Sequence, residues 1–352
     1  MYSIGEKVKF TLYGESHGPS IGGFLEGIPD GMILDFERIR SDLALRRPSK
    51  GIGTSRKEDD EVEFLEGVRG NAVSGRIQFD IKNKNTDSSK YVAFNDTPRP
   101  GHADLPALMK FKNHEIRGGN QFSGRLTVAI VVAGSIARQF LEGYGIEISS
   151  YVRSIGNVMD PKERSFEESM LSKSHPTRSC DDVLNERMIE EILSASKDGD
   201  SVGGVVTCLV KNLPIGFGGI WFEALDSEIA RGVFSIPGCK GVEFGKGFAL
   251  SRVRGSESND QFYFDNGAIK TLTNNMGGVL GGMSDGSTLS FSAAFKPTPS
   301  IEREQRTVNL REIKDDVVSV RGRHDPCIVP RAAIVVESMV ALIIADQIQR
   351  GN

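Results

Sequence analysis

Two stretches read alike: GGFLEGIPDGMILDFERIRSDL, residues Gly22–Leu43, and GGVVTCLVKNLPIGFGGIWFEALDSEIARG, residues Gly203–Gly232. Each passes from a glycine pair through β-branched or aromatic residues suited to a strand. A Pro-x-Gly turn follows, then a short amphipathic helix with an isoleucine on its face. The first copy is followed by Val62-Glu63-Phe64, the second by Val242-Glu243-Phe244. Two such halves sharing one core predict an α+β fold with pseudo-twofold organisation, a single domain over residues 1–352. Chance similarity of common strand-turn-helix units is the competing explanation.

Around these units, periodicity predicts strands at Lys7–Leu12, Gly75–Ile81, Glu147–Val152, Ser201–Val210 and Ser287–Phe295. Helices are expected at Phe36–Arg46 behind an Asp35 cap, and at Arg125–Glu142, Asp182–Ser194, Ala224–Arg231 and Ala332–Arg350. The small residues of RLTVAIVVAGSIARQFLE, 125–142, suit close packing against another element at the centre of the molecule. The most apolar segment, AAIVVESMVALIIA at 332–345, is too short for a membrane span and carries Glu337, so it reads as a core helix. The N-terminus lacks a basic region followed by an apolar run, and no membrane association is expected.

A net charge of −4 argues against a nucleic-acid binder working through bulk electrostatics. Cys180, Cys208, Cys239 and Cys327 are scattered, with no CxxC or Cys/His spacing. They read as free thiols of a reducing, cytoplasmic compartment, and no metal site is expected. No GxGxxG follows a strand and no GxxxxGK[ST] occurs, so neither a dinucleotide-binding nor a P-loop phosphate cradle is expected. GGVLGGMSDG, 277–286, reads as a loop or a tight strand junction.

Of only five histidines, three lie among bends and charges: His17 in YGESHGPSIGG, His102 in RPGHAD and His324 in RGRHDPC. Imidazole titrates near neutral pH, and a core histidine more often sits in an apolar run. Arginines gather in glycine- and proline-broken segments: Arg46-Arg47-Pro48, Arg56, Arg99, Arg117, Arg125, Arg321 and Arg323. Guanidinium groups beside bends suit bidentate clamping of carboxylate and phosphate, which points to a polyanion pocket around Arg46, Arg47 and Arg323. Lys296, in AFKPTPSI with Thr298 and Ser300, is placed to hold a phosphate. Asp325 reads as a salt-bridging anchor or a proton-transfer group, the anchor being the simpler choice.

YGESHGPSIGG, RRP, RPGHAD, RGG…SGR, GGVLGG, KPTPSI and GRHDPC stand in the order seen in chorismate synthases, and the chain resembles that family from Gly5 to its last helix. The resemblance implies helices between two antiparallel sheets, a β-α-β sandwich, assembled as a homotetramer. It implies anti-1,4-elimination of phosphate from 5-enolpyruvylshikimate 3-phosphate to give chorismate, the last step of the shikimate pathway toward aromatic amino acids. The cofactor would be reduced FMN, not consumed. NADPH is the candidate electron source, through an intrinsic activity or an external flavin reductase. By similarity His17 faces the leaving phosphate, His102 serves the flavin and Asp325 assists proton removal.

Carried over residue by residue, the flavin positions are Gln121, Phe122, Ser123, Pro237, Gly238, Gly281, Lys296, Pro297, Thr298, Pro299, Ser300 and Arg323. The substrate positions are Arg46, Arg47, Arg56, Arg125 and Arg321. Gln121-Phe122-Ser123 stands where the family usually has Arg-Ser-Ser, and Pro237-Gly238-Cys239 where Asn-Ala and an aliphatic residue are common. A different flavin reductase or oxidase would need a nicotinamide site, for which no fingerprint is present. A non-catalytic binding protein would have little need for His17, His102 and Asp325 together.

Overall fold

The structure, a computed structural model, describes residues 1–49, 51–54, 60–84, 89–112, 114–320, 322 and 325–351. Arg56, Arg321, Arg323 and His324 lie outside the described residues. Two five-stranded antiparallel sheets enclose a helical layer. The N-terminal sheet runs, edge to edge, Tyr2–Ile4, Lys9–Gly14, Ser20–Glu26, Ala72–Lys82 and Val62–Arg69. Ile77, Phe79 and Ile81 alternate with outward residues on Ala72–Lys82, and with Phe10, Ile21 and Leu25 they make its inner face. The C-terminal sheet runs Val158–Met159, Glu147–Ile155, Gly204–Lys211, Leu289–Phe295 and Cys239–Phe244. It is covered on both faces: Val152, Val206, Cys208 and Phe291 join the main core, while Tyr151 and Leu209 pack outside with Phe166 and Cys180.

Helices Thr127–Glu142 and Val329–Arg350 pack on each other and touch strands of both sheets. A Cβ on Gly134 would overlap Ser338, so the small residues of the first helix are what let the two axes approach. Gly124–Glu142, long and apolar enough by composition to cross a membrane, is the buried core segment containing this helix. Glu337 is tolerated in the second helix because Arg138 meets it at 3.1 Å and the Ser150 N–H and hydroxyl donate to its other oxygen. Arg138 also reaches Asp42 at 3.1 Å, tying helix Phe36–Arg46 into the same layer. All four cysteines are buried and unpaired.

The two sheets share an order. Lys9–Gly14, Ser20–Glu26, helix Phe36–Arg46, Val62–Arg69, Ala72–Lys82 and helix Thr127–Glu142 follow one another in the first half. Glu147–Ile155, Gly204–Lys211, helix Leu225–Phe234, Cys239–Phe244, Leu289–Phe295 and helix Val329–Arg350 follow in the second. In both, the four strands lie in the sheet as first, second, fourth, third. Ile39 and Ile229, the isoleucines of the two echoing helices, are both buried.

The expected elements form with shifted ends. Asp35 caps Phe36–Arg46 by accepting from the Arg38 N–H at 3.1 Å. The last helix begins three residues earlier than Ala332 because Pro330 fits its first turn, where no N–H is needed. GGVLGGMSDG forms a tight junction: Val279–Leu280 and Met283–Ser284 pair through Gly281 and Gly282, both at positive φ. Helix Asp104–Lys110 and the hairpins Phe262–Asp265/Ala268–Thr271 and Gln305–Asn309/Lys314–Val318 were not expected.

Candidate active site

The segments carrying His17 and His102 meet at one arginine. Arg99 is buried, its guanidinium 4.7 Å from the Phe94 ring centre and 5.7 Å from that of Tyr91. It donates to the Gly118 carbonyl at 2.9 Å, to the Ser300 hydroxyl at 3.3 Å and to both oxygens of Asp104 at 2.7 and 2.9 Å. Asp104 Oδ1 in turn lies 2.5 Å from Nδ1 of His102. Burial opposes ionisation of Asp104, but hydrogen bonds from His102 and Arg99 outweigh it and hold the carboxyl far below the usual carboxylate range. That stabilisation is present above the ordinary carboxylate range and is lost only as pH falls through the depressed value.

Gly118 touches His17 on its other side. It sits at φ +70°, and a Cβ there would overlap the His17 ring, so glycine lets the imidazole lie on the backbone. His17 Nδ1 is 3.1 Å from the Ser16 hydroxyl, and its ring meets Tyr91 edge-on at 5.4 Å between centres.

Tyr91 also lines a cavity of about 270 Å³ with Arg46, Arg47, Arg125, Arg331, Asp60 and Asp325. Arg46 and Arg125 line it while tied to other groups. Both are buried and both pair with Asp60, and Arg46 further donates to Thr127 Oγ1 at 3.0 Å and to the Arg125 carbonyl at 3.1 Å. They build the wall, and the more exposed cations are Arg47 and Arg331. Asp325 is held by a salt bridge, as the anchor reading expects. One oxygen pairs with Arg331, while the other is buried without a hydrogen-bond partner among the described residues. Arg331 also donates to the Arg46 carbonyl at 2.9 Å.

A second, apolar cavity of about 730 Å³ adjoins the first, sharing Ser123, Thr127 and Pro237 with it. Gln121 and Phe122 line it with Tyr2, Phe111 and His114. Gln121 accepts from the Tyr2 hydroxyl at 2.8 Å, and Phe122 stands edge-on to His114. Pro237 links the cavities to the Lys296–Ser300 loop, because the next residue's carbonyl, Gly238, accepts the Lys296 N–H at 2.9 Å. Lys296 reaches the Gly101 carbonyl; burial, then Lys240, pulls its pKa down. Pro297 packs by Gly203, Pro299 by Gly101, and Thr298 keeps a buried hydroxyl without a partner among the described residues. Gly281 is the exception. Its hairpin adjoins the Leu289 end of strand Leu289–Phe295, whereas Lys296–Ser300 leaves the Phe295 end, so one chain does not bring Gly281 to the other flavin positions.

Four site residues escaped the sequence reading. Asp104 stands in RPGHAD, where a carboxylate two residues after a histidine was a usable signal. Arg331 is a cation in the first turn of a helix, against the macrodipole, which also marks a residue kept for another reason. Asp60 sits in the acidic run EDDE and looks like solvated charge, and nothing distinguishes Tyr91.

Comparison with known proteins identifies the family. The family model for chorismate synthase matches residues 8–349. The chorismate synthase of Thermococcus kodakarensis is 46% identical over 349 residues, covering 98% of this chain and 97% of its own. That of Pyrococcus abyssi is 46% identical over 347 residues, with 98% and 96% covered. A crystal structure of a chorismate synthase superposes with a TM-score of 0.80 at 27% identity, covering 99% of this chain and 93% of the other. The chain belongs to the chorismate synthase family.

Proposed function

We propose that the linked cavities are where this enzyme eliminates phosphate from 5-enolpyruvylshikimate 3-phosphate to form chorismate, with the arginine-lined cavity taking the substrate and the apolar one adjoining it the flavin. The activity follows from family membership; the assignment of residues rests on the junction at Arg99. FMN fits the residues present. A large apolar cavity walled by Phe122 and Phe111 suits a flat ring system, and Lys296 with the unpartnered Thr298 hydroxyl suits a phosphate. The chemistry that reduced FMN supplies when bound is electron density, lent as the C–O bond breaks and recovered as the C6 proton leaves.

His17 stabilises or protonates the departing phosphate, with Arg47 and Arg331 placed for the substrate's anionic groups. His102 holds a proton beside the cofactor. Asp325 offers its unpaired oxygen to the proton leaving the substrate, while Arg331 keeps the carboxylate aimed. Ser300, tied to Arg99, and Gly238, tied to Lys296, fix the cofactor loop relative to both histidines.

The remaining expectations extend this reading. The common strand order of the two sheets supports pseudo-twofold duplication within one domain spanning 1–352. Trp221 and Phe222 are 81% and 92% exposed in the segment after Gly218, which bridges to Met283, and such apolar surface suits assembly, for which we favour a homotetramer. Buried, unpaired thiols suit a reducing cytoplasm. NADPH, used directly or by a separate flavin reductase, remains the electron source we favour.

The test is an anaerobic assay with chemically reduced FMN and the phosphorylated enolpyruvyl substrate. Chorismate and phosphate should appear one to one over many turnovers while the flavin stays reduced. Steady flavin oxidation matched to product would overturn the reading.

A further inference from the structure

Asp104, two residues beyond His102, belongs to none of the assigned flavin or substrate positions, yet both of its oxygens are engaged beside the histidine. It is 3% exposed. Its Oδ2 accepts from Nε of Arg99 at 2.7 Å and from the Arg99 backbone N–H at 3.1 Å; its Oδ1 accepts from Nη2 at 2.9 Å and meets His102 Nδ1 at 2.5 Å. Arg99 cannot retreat, because Gly118, Ser300 and the Phe94 ring hold its other faces.

We propose that Asp104 is a positioning residue for the reaction: it fixes the proton of His102 on Nδ1 and leaves Nε2 as the nitrogen that exchanges a proton in the site. A carboxylate taking three hydrogen bonds from an arginine is ionised and can only accept. Because Oδ1 can only accept, its hydrogen bond with His102 places the hydrogen on Nδ1. Nη2 of Arg99 lies 3.3 Å from the same nitrogen; with the proton on Nδ1 these are two donors sharing Oδ1, not a hydrogen bond to each other. No partner of Nε2 occurs among the described residues, and the side chain is 16% exposed. The lock therefore leaves one working nitrogen, able to accept when the ring is neutral and to donate when it is charged.

The inference rests on the reading of His102 as a proton-handling group, and two measurements keep the two apart. The first is 15N NMR of the histidines of the parent enzyme, with His102 assigned by its loss in His102→Ala. Nδ1 should give a protonated nitrogen with a strongly downfield hydrogen, and Asp104→Asn should abolish that signature. An unprotonated Nδ1 in the neutral ring would overturn the lock whatever the turnover. The second is a double-mutant cycle. Asp104→Asn should lower kcat by roughly 10²-fold, within the usual reach of one acid–base group, with KM for the substrate within about twofold. In the His102→Ala background the same change should cost nothing further. Equal losses in both backgrounds would mean that Asp104 only props up Arg99, and the proposal would fail. Should Asp104→Asn melt early, Asp104→Glu keeps the charge and should recover part of the turnover; no recovery in a folded Glu variant would also count against it. Near-normal turnover in His102→Ala would sink the role of His102 itself, while the NMR result would still decide the lock.

Discussion

His17 and His102 come from similar sequence, each beside a glycine and close to a carboxylate, but the fold surrounds them differently. Nδ1 of His102 faces a buried, ionised carboxylate that can only accept. Nδ1 of His17 faces the Ser16 hydroxyl, which donates or accepts as required, and its ring lies against a glycine and an aromatic edge. One imidazole is held in a single tautomer. The other sits beside a neighbour that accommodates either protonation state. Gly118 joins them, carrying His17 on its α-carbon and Arg99 on its carbonyl.

Removing either ring is the largest perturbation. His17→Ala and His102→Ala should each lower turnover by roughly 10²–10⁴-fold with melting temperatures close to the parent's, since neither ring fills the main core. A large drop in melting temperature with near-normal turnover would show that the rings are structural. Asp325→Asn should come next: substrate and FMN still bind, while the single-turnover rate falls by roughly 10²-fold. A full rate in that variant would leave Asp325 as only an anchor for Arg331.

Gly118→Ala strikes the link between the two histidines. Its Cβ would meet the His17 ring and its φ would be strained, so we expect a loss of about 1–3 kcal/mol in denaturant stability and lower turnover. Unchanged kinetics would mean that the His17 ring moves without consequence. The smallest effect concerns the cofactor loop. Lys296→Ala should weaken FMN by about 1.5–3 kcal/mol, the worth of a charge-assisted bond, and Phe122→Ala should weaken it less, by anaerobic titration. Because burial lowers the Lys296 pKa, phosphate binding through it should fade at a lower pH than for an ordinary exposed lysine. A dissociation constant unchanged in Lys296→Ala would place the flavin phosphate elsewhere.

Several features of the site were legible because their causes are local. Glycine-broken turns around His17 and His102 announced imidazoles outside the main core, and KPTPSI announced a rigid loop after a strand. The orientation of the arginines was not legible. Arg46 and Arg125 carry the same sequence signature as Arg47, yet they turn inward to Asp60 because that carboxylate reaches the same buried point from another element. Gly281 looked like part of the cofactor loop set, but strand Leu289–Phe295 separates its hairpin from Lys296.

By itself the sequence determined where most of the core helices and strands form, and which family the chain resembles. Asp35 capping Arg38, Pro330 in a first turn and the alternation Ile77, Phe79, Ile81 all act over a few residues, so they are written locally. Only the tertiary structure decided which cation meets which anion. Arg99 finds Asp104 nearby but Ser300 across 201 residues, and Arg46 finds Thr127 across 81. Such partners are chosen by packing, since a charge stays buried only where a counter-charge or hydrogen bond arrives from elsewhere in the chain.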